Sequence, residues 1–169
     1  VAASGGYYIA AAADGIIANP GTITGSIGVI MGYTNFEQLL EKIGLIPVVI
    51  KSGEFKDMGA PTRKMSNQEK DVLQHFVDQT HRQFVRAISE GRGMDLAIVE
   101  TLADGRIYTG EEALNKGLVD RLGNFEDAIE WAGHLAGIKG KISTVYKREE
   151  KFTFLKYLSE SMLKDLISH

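Results

Sequence analysis

Ala3-Ser4-Gly5-Gly6-Tyr7-Tyr8-Ile9-Ala10-Ala11-Ala12-Ala13-Asp14 is the stretch from which the fold is read. Gly5-Gly6 reads as a tight turn opening a small-residue helix over Tyr7 to Ala13, because alanine runs favour helix and let it lie close to a neighbouring backbone. Asp14-Gly15 ends that helix. Ile16 to Asn19 then reads as a short buried strand stopped by Pro20-Gly21. Thr24 to Ile30 is a glycine-punctuated apolar run, expected as a strand with a close backbone neighbour.

Further along, Asn35 is expected to cap a helix from Phe36 to Ile43, ended by Gly44. The β-branched run Ile46 to Ile50 predicts a strand, and Lys51 to Lys64 a long surface or active-site loop. Ser66-x-x-Glu69 is a capping box for an amphipathic helix to about Ser89, broken at Gly91-Arg92-Gly93. A short helix at Leu96 to Leu102 and a strand at Arg106 to Tyr108 follow. A second capping box, Thr109-x-x-Glu112, opens a helix that stops at Gly117. Leu118 to Asp120 predicts a strand, Phe125 to Ala136 a helix, and Phe152 to Ile167 an amphipathic terminal helix. Strands alternating with helices indicate an α/β class.

Composition narrows the functions. The 169 residues are 44% hydrophobic and 24% charged, a globular balance. A net charge of −3 without a basic cluster speaks against nucleic-acid binding. The chain has no cysteine, which excludes disulfides, thiolate-bound zinc and a thiol nucleophile. No apolar run approaches the ~18 residues of a membrane span. The first residue is Val1 rather than Met, and it leads straight into an apolar, core-like segment; a fragment with a missing upstream part is expected.

Ser4 lies at a turn feeding a helix N-terminus, where unpaired amides and the helix dipole suit a developing oxyanion. Serine in that position is equally a helix N-cap, and the pattern alone leaves both roles open. A serine nucleophile needs a base. His75 and His81 on the long helix, His134 on a late helix and the terminal His169 read as surface or rim residues. That leaves lysine, whose amine serves once it is uncharged. Lys51 and Lys56 stand at a strand-to-loop junction, a place where catalytic groups are displayed.

Four collinear blocks carry a resemblance. A-S-G-G-Y-Y-I-A-x-A-A-D, T-G-S-I-G-V-I-M, K-S-G-x-x-K-D-x-G-x-P-x-R-x-M-S and D-G-R-I-Y-T-G-E-E-A-L-N-K-G-L-V-D-R-L-G span most of Ala2 to Gly123. The sequence thereby resembles the signal peptide peptidase A family, serine peptidase family S49, in its short bacterial form. The resemblance implies a crotonase/ClpP-like α/β fold, here without its N-terminal β-α units. Residues 1–140 are then the C-terminal portion of the protease domain, and 141–169 a C-terminal extension.

What the resemblance implies for the site is a Ser/Lys dyad. The nucleophile falls on Ser4, and the general base on the second lysine of its block, Lys56 and not Lys51. Ser26 would orient that base, and the Gly5 N–H would be one oxyanion donor. Asp57, adjacent to the base, is expected to point away from it, because a carboxylate beside the amine would keep it charged. Arg63 is expected either in a rim salt bridge or as a cation near the base. No metal and no cofactor are implied.

The substrates implied are hydrophobic, extended peptides, namely remnants of cleaved signal peptides. Ile9, Ile27, Val29, Ile30 and Met31 are candidates for a binding groove, or else for core. A homo-oligomer is implied, along with attachment to the cytoplasmic membrane through an upstream anchor and a catalytic domain outside the cytoplasm. Two competing readings are an acyl-CoA enzyme of the crotonase class and an inactive scaffold homologue. Against the first, no basic cluster grips a nucleotide phosphate; against the second, a scaffold needs neither Ser4 nor Lys56.

Overall fold

The computed structural model describes residues 1–145. The expected terminal helix Phe152 to Ile167 lies outside these residues. The chain divides into two units, Val1–Ala128 and Ile129–His169. Elements follow in the order β1 (Ala2–Ala3), α1 (Gly5–Ala10), β2 (Ile17–Ala18), β3 (Thr24–Gly25), α2 (Glu37–Lys42) and α3 (Asn67–Arg92). Then come α4 (Leu96–Leu102), β4 (Ile107–Tyr108), α5 (Gly110–Asn115), β5 (Arg121–Leu122) and α6 (Phe125–Leu135). The mixed α/β class is as expected.

Two small sheets organise the first unit. In one, β3 lies between β1 and β4, parallel to β1 and antiparallel to β4. In the other, β2 and β5 run parallel, with Ile17 opposite Arg121. Tyr7, Ile27, Phe84, Ile88, Val99, Tyr108 and Leu118 form the buried core with neighbouring small residues. The Tyr7 hydroxyl donates 2.7 Å to the Leu118 carbonyl, tying α1 to a residue 111 positions away. Burial of that phenol pushes its pKa far up, so it remains a donor.

Both capping boxes form as the sequence predicts. Ser66 accepts from the Glu69 amide while the Glu69 carboxylate accepts from the Ser66 amide, and Thr109 and Glu112 repeat the arrangement. Asn35 Oδ1 accepts from the Glu37 amide at 2.8 Å, although α2 itself begins after Phe36.

Several expectations are corrected. Helix α1 starts earlier, at Gly5, and ends at Ala10, leaving Ala11–Ala13 in turns. The strand expected over Thr24 to Ile30 is paired only at Thr24–Gly25, because Gly25 (φ 72°) and Ser26 (φ 50°) turn left-handed and end the ladder. A Cβ on Gly25 would also lie 2.5 Å from the Tyr108 ring. Ile46 to Ile50 is no strand: Ile46 and Ile50 are 87% and 97% exposed, and β-branched side chains cannot substitute for a partner's ladder bonds. The strand expected at Leu118 to Asp120 is shifted to Arg121–Leu122, since Leu118 and Val119 are spent on the core.

Gly91 does not break α3; the helix runs through it to Arg92, and Gly93 in left-handed conformation ends it. Gly91 is there for space. A Cβ would lie 2.0 Å from the Ala11 carbonyl oxygen, so only glycine lets α3 cross the end of α1.

In the second unit, the side chain of Ile142 fills the space over Gly133 of α6.

Gly91→Ala reverses the usual sign of a helix substitution. Alanine ordinarily stabilises a helix interior by up to about 1 kcal/mol. Here overpacking against Ala11 is expected to cost about 1–3 kcal/mol, read as a lower urea midpoint. A raised midpoint would show that the two helices do not meet at this point.

Candidate active site

Parallel strands β1 and β3 each run directly into a serine. The Ser4 amide donates to the Gly25 carbonyl at 2.8 Å, and the Ser26 amide to the Arg106 carbonyl at 2.8 Å. Both hydroxyl-bearing residues are therefore pinned at the carboxyl ends of adjacent parallel strands, where ligands of open α/β sheets bind.

Ser4 has φ 53° and ψ −121°, a conformation that ordinarily selects glycine. It precedes α1, yet its side chain makes no capping hydrogen bond. The hydroxyl is thus not used as a cap, and the residue is exposed. A non-glycine residue in such a conformation costs about 1–3 kcal/mol and persists only where its surroundings over-determine it. Behind it, Gly5 opens α1 with an amide that has no intrahelical acceptor. A Cβ built on Gly5 meets nothing within 4 Å, so the space beside that amide is open to a ligand.

Ser4 and Ser26 line one cavity of about 430 Å³, together with Gly28, Val29, Ile30, Val77, Asp78, His81 and Asp104. A second cavity of about 460 Å³ is lined by Ser4, Gly5, Tyr8, Val29, Ile30, Thr80 and Phe84 among others. Two of the groove candidates, Val29 and Ile30, thus line both cavities, whereas Ile27 is fully buried and belongs to the core. Ser26 is half-buried, and its hydroxyl has no hydrogen-bond partner among the described residues. At the cavity edge Arg106 holds the Asp104 carboxyl below its ordinary range, by side-chain and backbone hydrogen bonds, so Asp104 stays ionised.

His81 is half-buried and lines the wall of the first cavity. Its Nε2–H donates to the Ala103 carbonyl at 2.9 Å, and in a neutral ring Nδ1 is then the acceptor. Nothing in the sequence signals this placement, because it depends on where α3 crosses the loop after α4.

Lys56 lies in a run of turns between Gly53 and Ala60, exposed, and lines neither cavity. Asp57 does point away from it: its carboxylate accepts from Lys51 Nζ at 2.7 Å and from Arg63 at 2.9 Å. Those two cations hold the Asp57 carboxyl far below the ordinary range, Arg63 contributing most. The structure therefore brings Ser4, Gly5 and Ser26 together and leaves Lys56 on a separate stretch of turns. Among the described residues no cluster of His, Asp or Glu could hold a metal ion, and no helix is long and apolar enough to cross a membrane.

The sequence profile of peptidase family S49 matches residues 1–139. A Synechocystis protein named as a protease is 50% identical over 82% of this chain and 50% of its own length. An Enterococcus faecium protein named as signal peptide peptidase SppA is 50% identical over 76% of this chain and 38% of its own. A chloroplastic serine protease SPPA of Arabidopsis thaliana is 36% identical over 82% of this chain and 20% of its own. The chain spans half or less of the length of each of these relatives.

The conformation of Ser4 makes a stability prediction independent of any reaction. Ser4→Gly relieves the strain and Ser4→Ala retains it, so glycine is expected to be the more stable by about 1 kcal/mol in urea unfolding. Equal stability of the two would mean that the turn stores no strain.

Proposed function

The chain belongs to peptidase family S49, and from that premise we propose that the protein is a serine endopeptidase with Ser4 as nucleophile and Lys56 as general base. The observation that carries the reading is the exposed, uncapped Ser4 hydroxyl on a left-handed turn at the mouth of two cavities. As Ser4 Oγ attacks a peptide carbonyl, the uncharged Lys56 amine takes its proton. The Gly5 N–H stabilises the resulting oxyanion. The ammonium then gives that proton to the departing amine, leaving an acyl group on Ser4. A water molecule, deprotonated by the same amine, releases the acid and regenerates the hydroxyl. Ser26, at the same cavity, is the base-orienting hydroxyl.

Lys56 lines neither cavity, so the dyad requires segment 51–64, held in its present form and supplied by another copy in a homo-oligomer, to bring the amine to Ser4. Val29 and Ile30 suit apolar, extended peptides, and remnant signal peptides are the substrate class we assign. The signal peptide peptidase named among the relatives supports that choice. The same reading assigns a crotonase/ClpP-like fold, residues 1–140 to the protease domain and 141–169 to an extension. It places the protein at the cytoplasmic membrane, with the catalytic domain outside the cytoplasm.

A second reading takes His81 as the base, because it lines the cavity with Ser4 and Ser26 and keeps Nδ1 free to accept.

A fluorophosphonate probe separates the two. Labelling of Ser4 is expected in the intact protein, absent in Ser4→Ala, rising with pH, and slowed about 100-fold or more in Lys56→Ala. Loss of labelling in His81→Ala beside full labelling of Lys56→Ala would exchange the bases. Mixing Ser4→Ala with Lys56→Ala protein restores labelling only if the amine comes from a neighbouring copy.

A further inference from the structure

Segment 51–64 contains Gly53, Gly59 and Pro61, is built from consecutive turns, and has no helix or strand of its own. Such a segment is an unsuitable mount for a catalytic amine unless side chains fix it. Here a chain of charges does so. Lys51 Nζ donates to the Glu54 carbonyl at 2.8 Å and to Asp57 at 2.7 Å. Arg63 Nε and Nη2 grip the two Asp57 oxygens in a fork, each at 2.9 Å. The same guanidinium grips Glu69 through Nη1 at 2.9 Å and through Nη2, and Nη1 reaches the Lys64 carbonyl at 3.1 Å. Glu69 is 4% exposed and accepts also from the Ser66 amide at 2.7 Å.

Asp57 thereby closes both ends of the loop on itself, and Arg63 bolts the closed loop to the first turn of α3. The fork geometry needs arginine, since a planar guanidinium meets two carboxylates at once where an ammonium offers a point charge. Asp57 is turned inward, its side chain 12% exposed, while its neighbour Lys56 is exposed. The carboxylate nearest to the Lys56 amine in sequence is committed to two other cations.

We infer that Arg63 is a positioning residue of the peptidase: through Asp57 and Glu69 it fixes the turn that presents Lys56, and keeps Asp57 from capturing that amine. This rests on the assignment of Lys56 as base. The charged groups facing Asp57 are Lys51 and Arg63; those facing Arg63 are Asp57 and, from α3, Glu69. Arg63 and the Ser66 amide and hydroxyl hold the Glu69 carboxyl down at about 2, and Asp57 lies lower still. Depressed carboxyls stabilise the folded state above their ordinary values and lose that effect as pH falls towards the lowered ones. The Asp57–Arg63–Glu69 part of the clamp therefore stays ionised across the neutral range.

The test is fluorophosphonate labelling of the intact protein, following rate and end point separately. The end point counts folded sites, and the rate reports the base. Arg63→Met is expected to label about 10- to 100-fold more slowly to an unchanged end point. Arg63→Lys should recover part of that rate. Hydrogen exchange of residues 52–60 should quicken in Arg63→Met. A wild-type rate in Arg63→Met, with or without a lowered end point, overturns the inference and leaves Lys56 as base, provided Lys56→Ala is slow in parallel. A wild-type rate in Lys56→Ala overturns the base assignment and the positioning role together.

Discussion

The pairing of β1 with β3 governs the candidate site. Two residues from each strand lie side by side, with Ala2 opposite Thr24 and Ala3 opposite Gly25. Because the strands are parallel, both chains leave the ladder at the same edge, and each leaves it through a serine with positive φ. The Gly25 carbonyl receives the Ser4 amide, and the Arg106 carbonyl beside β4 receives the Ser26 amide. Antiparallel strands would have sent the two hydroxyls to opposite edges. Thr24 reinforces the pairing from its side chain, donating 2.7 Å to the Ala2 carbonyl from a buried position. The family assignment is consistent with this arrangement, and it disfavours the acyl-CoA reading, which gives the turn serine no task.

Local chemistry was readable where it is self-contained. Ser66 with Glu69 and Thr109 with Glu112 satisfy each other within one helical turn, so three-residue spacing was enough to place both helix starts. Ser4 was identified as a candidate from a pattern of equal local character, a hydroxyl before two glycines. What the pattern could not decide was cap against nucleophile. Whether the hydroxyl caps α1 depends on φ and ψ at one residue, whose amide is held by a carbonyl 21 positions away.

Features set by distant partners were not readable. Ile46 to Ile50 has the composition of a strand but no ladder partner among the described residues, and β propensity measures fit to a neighbour rather than backbone preference. Leu118 and Val119 look like strand residues because they are apolar, whereas their burial against α5 and Tyr7 moves the pairing to Arg121. Gly91 looked like a helix breaker, and its actual task is clearance for another helix. His81 gave no signal at all. The inward turn of Asp57, by contrast, followed from electrostatics, and its partners Lys51 and Arg63 were both already in view.

The bond from Tyr7 to Leu118 bears on when during synthesis the hydroxyl acquires its surroundings. The Leu118 carbonyl that fixes the helix behind Ser4 follows Tyr7, its donor, by 111 residues. Strand β4, whose flank holds Ser26, also comes about a hundred residues after Ser4. A nascent chain therefore carries Ser4 long before it owns that residue's surroundings. Contacts this remote in sequence postpone assembly of the cavity that Ser4 lines until translation has passed Leu118.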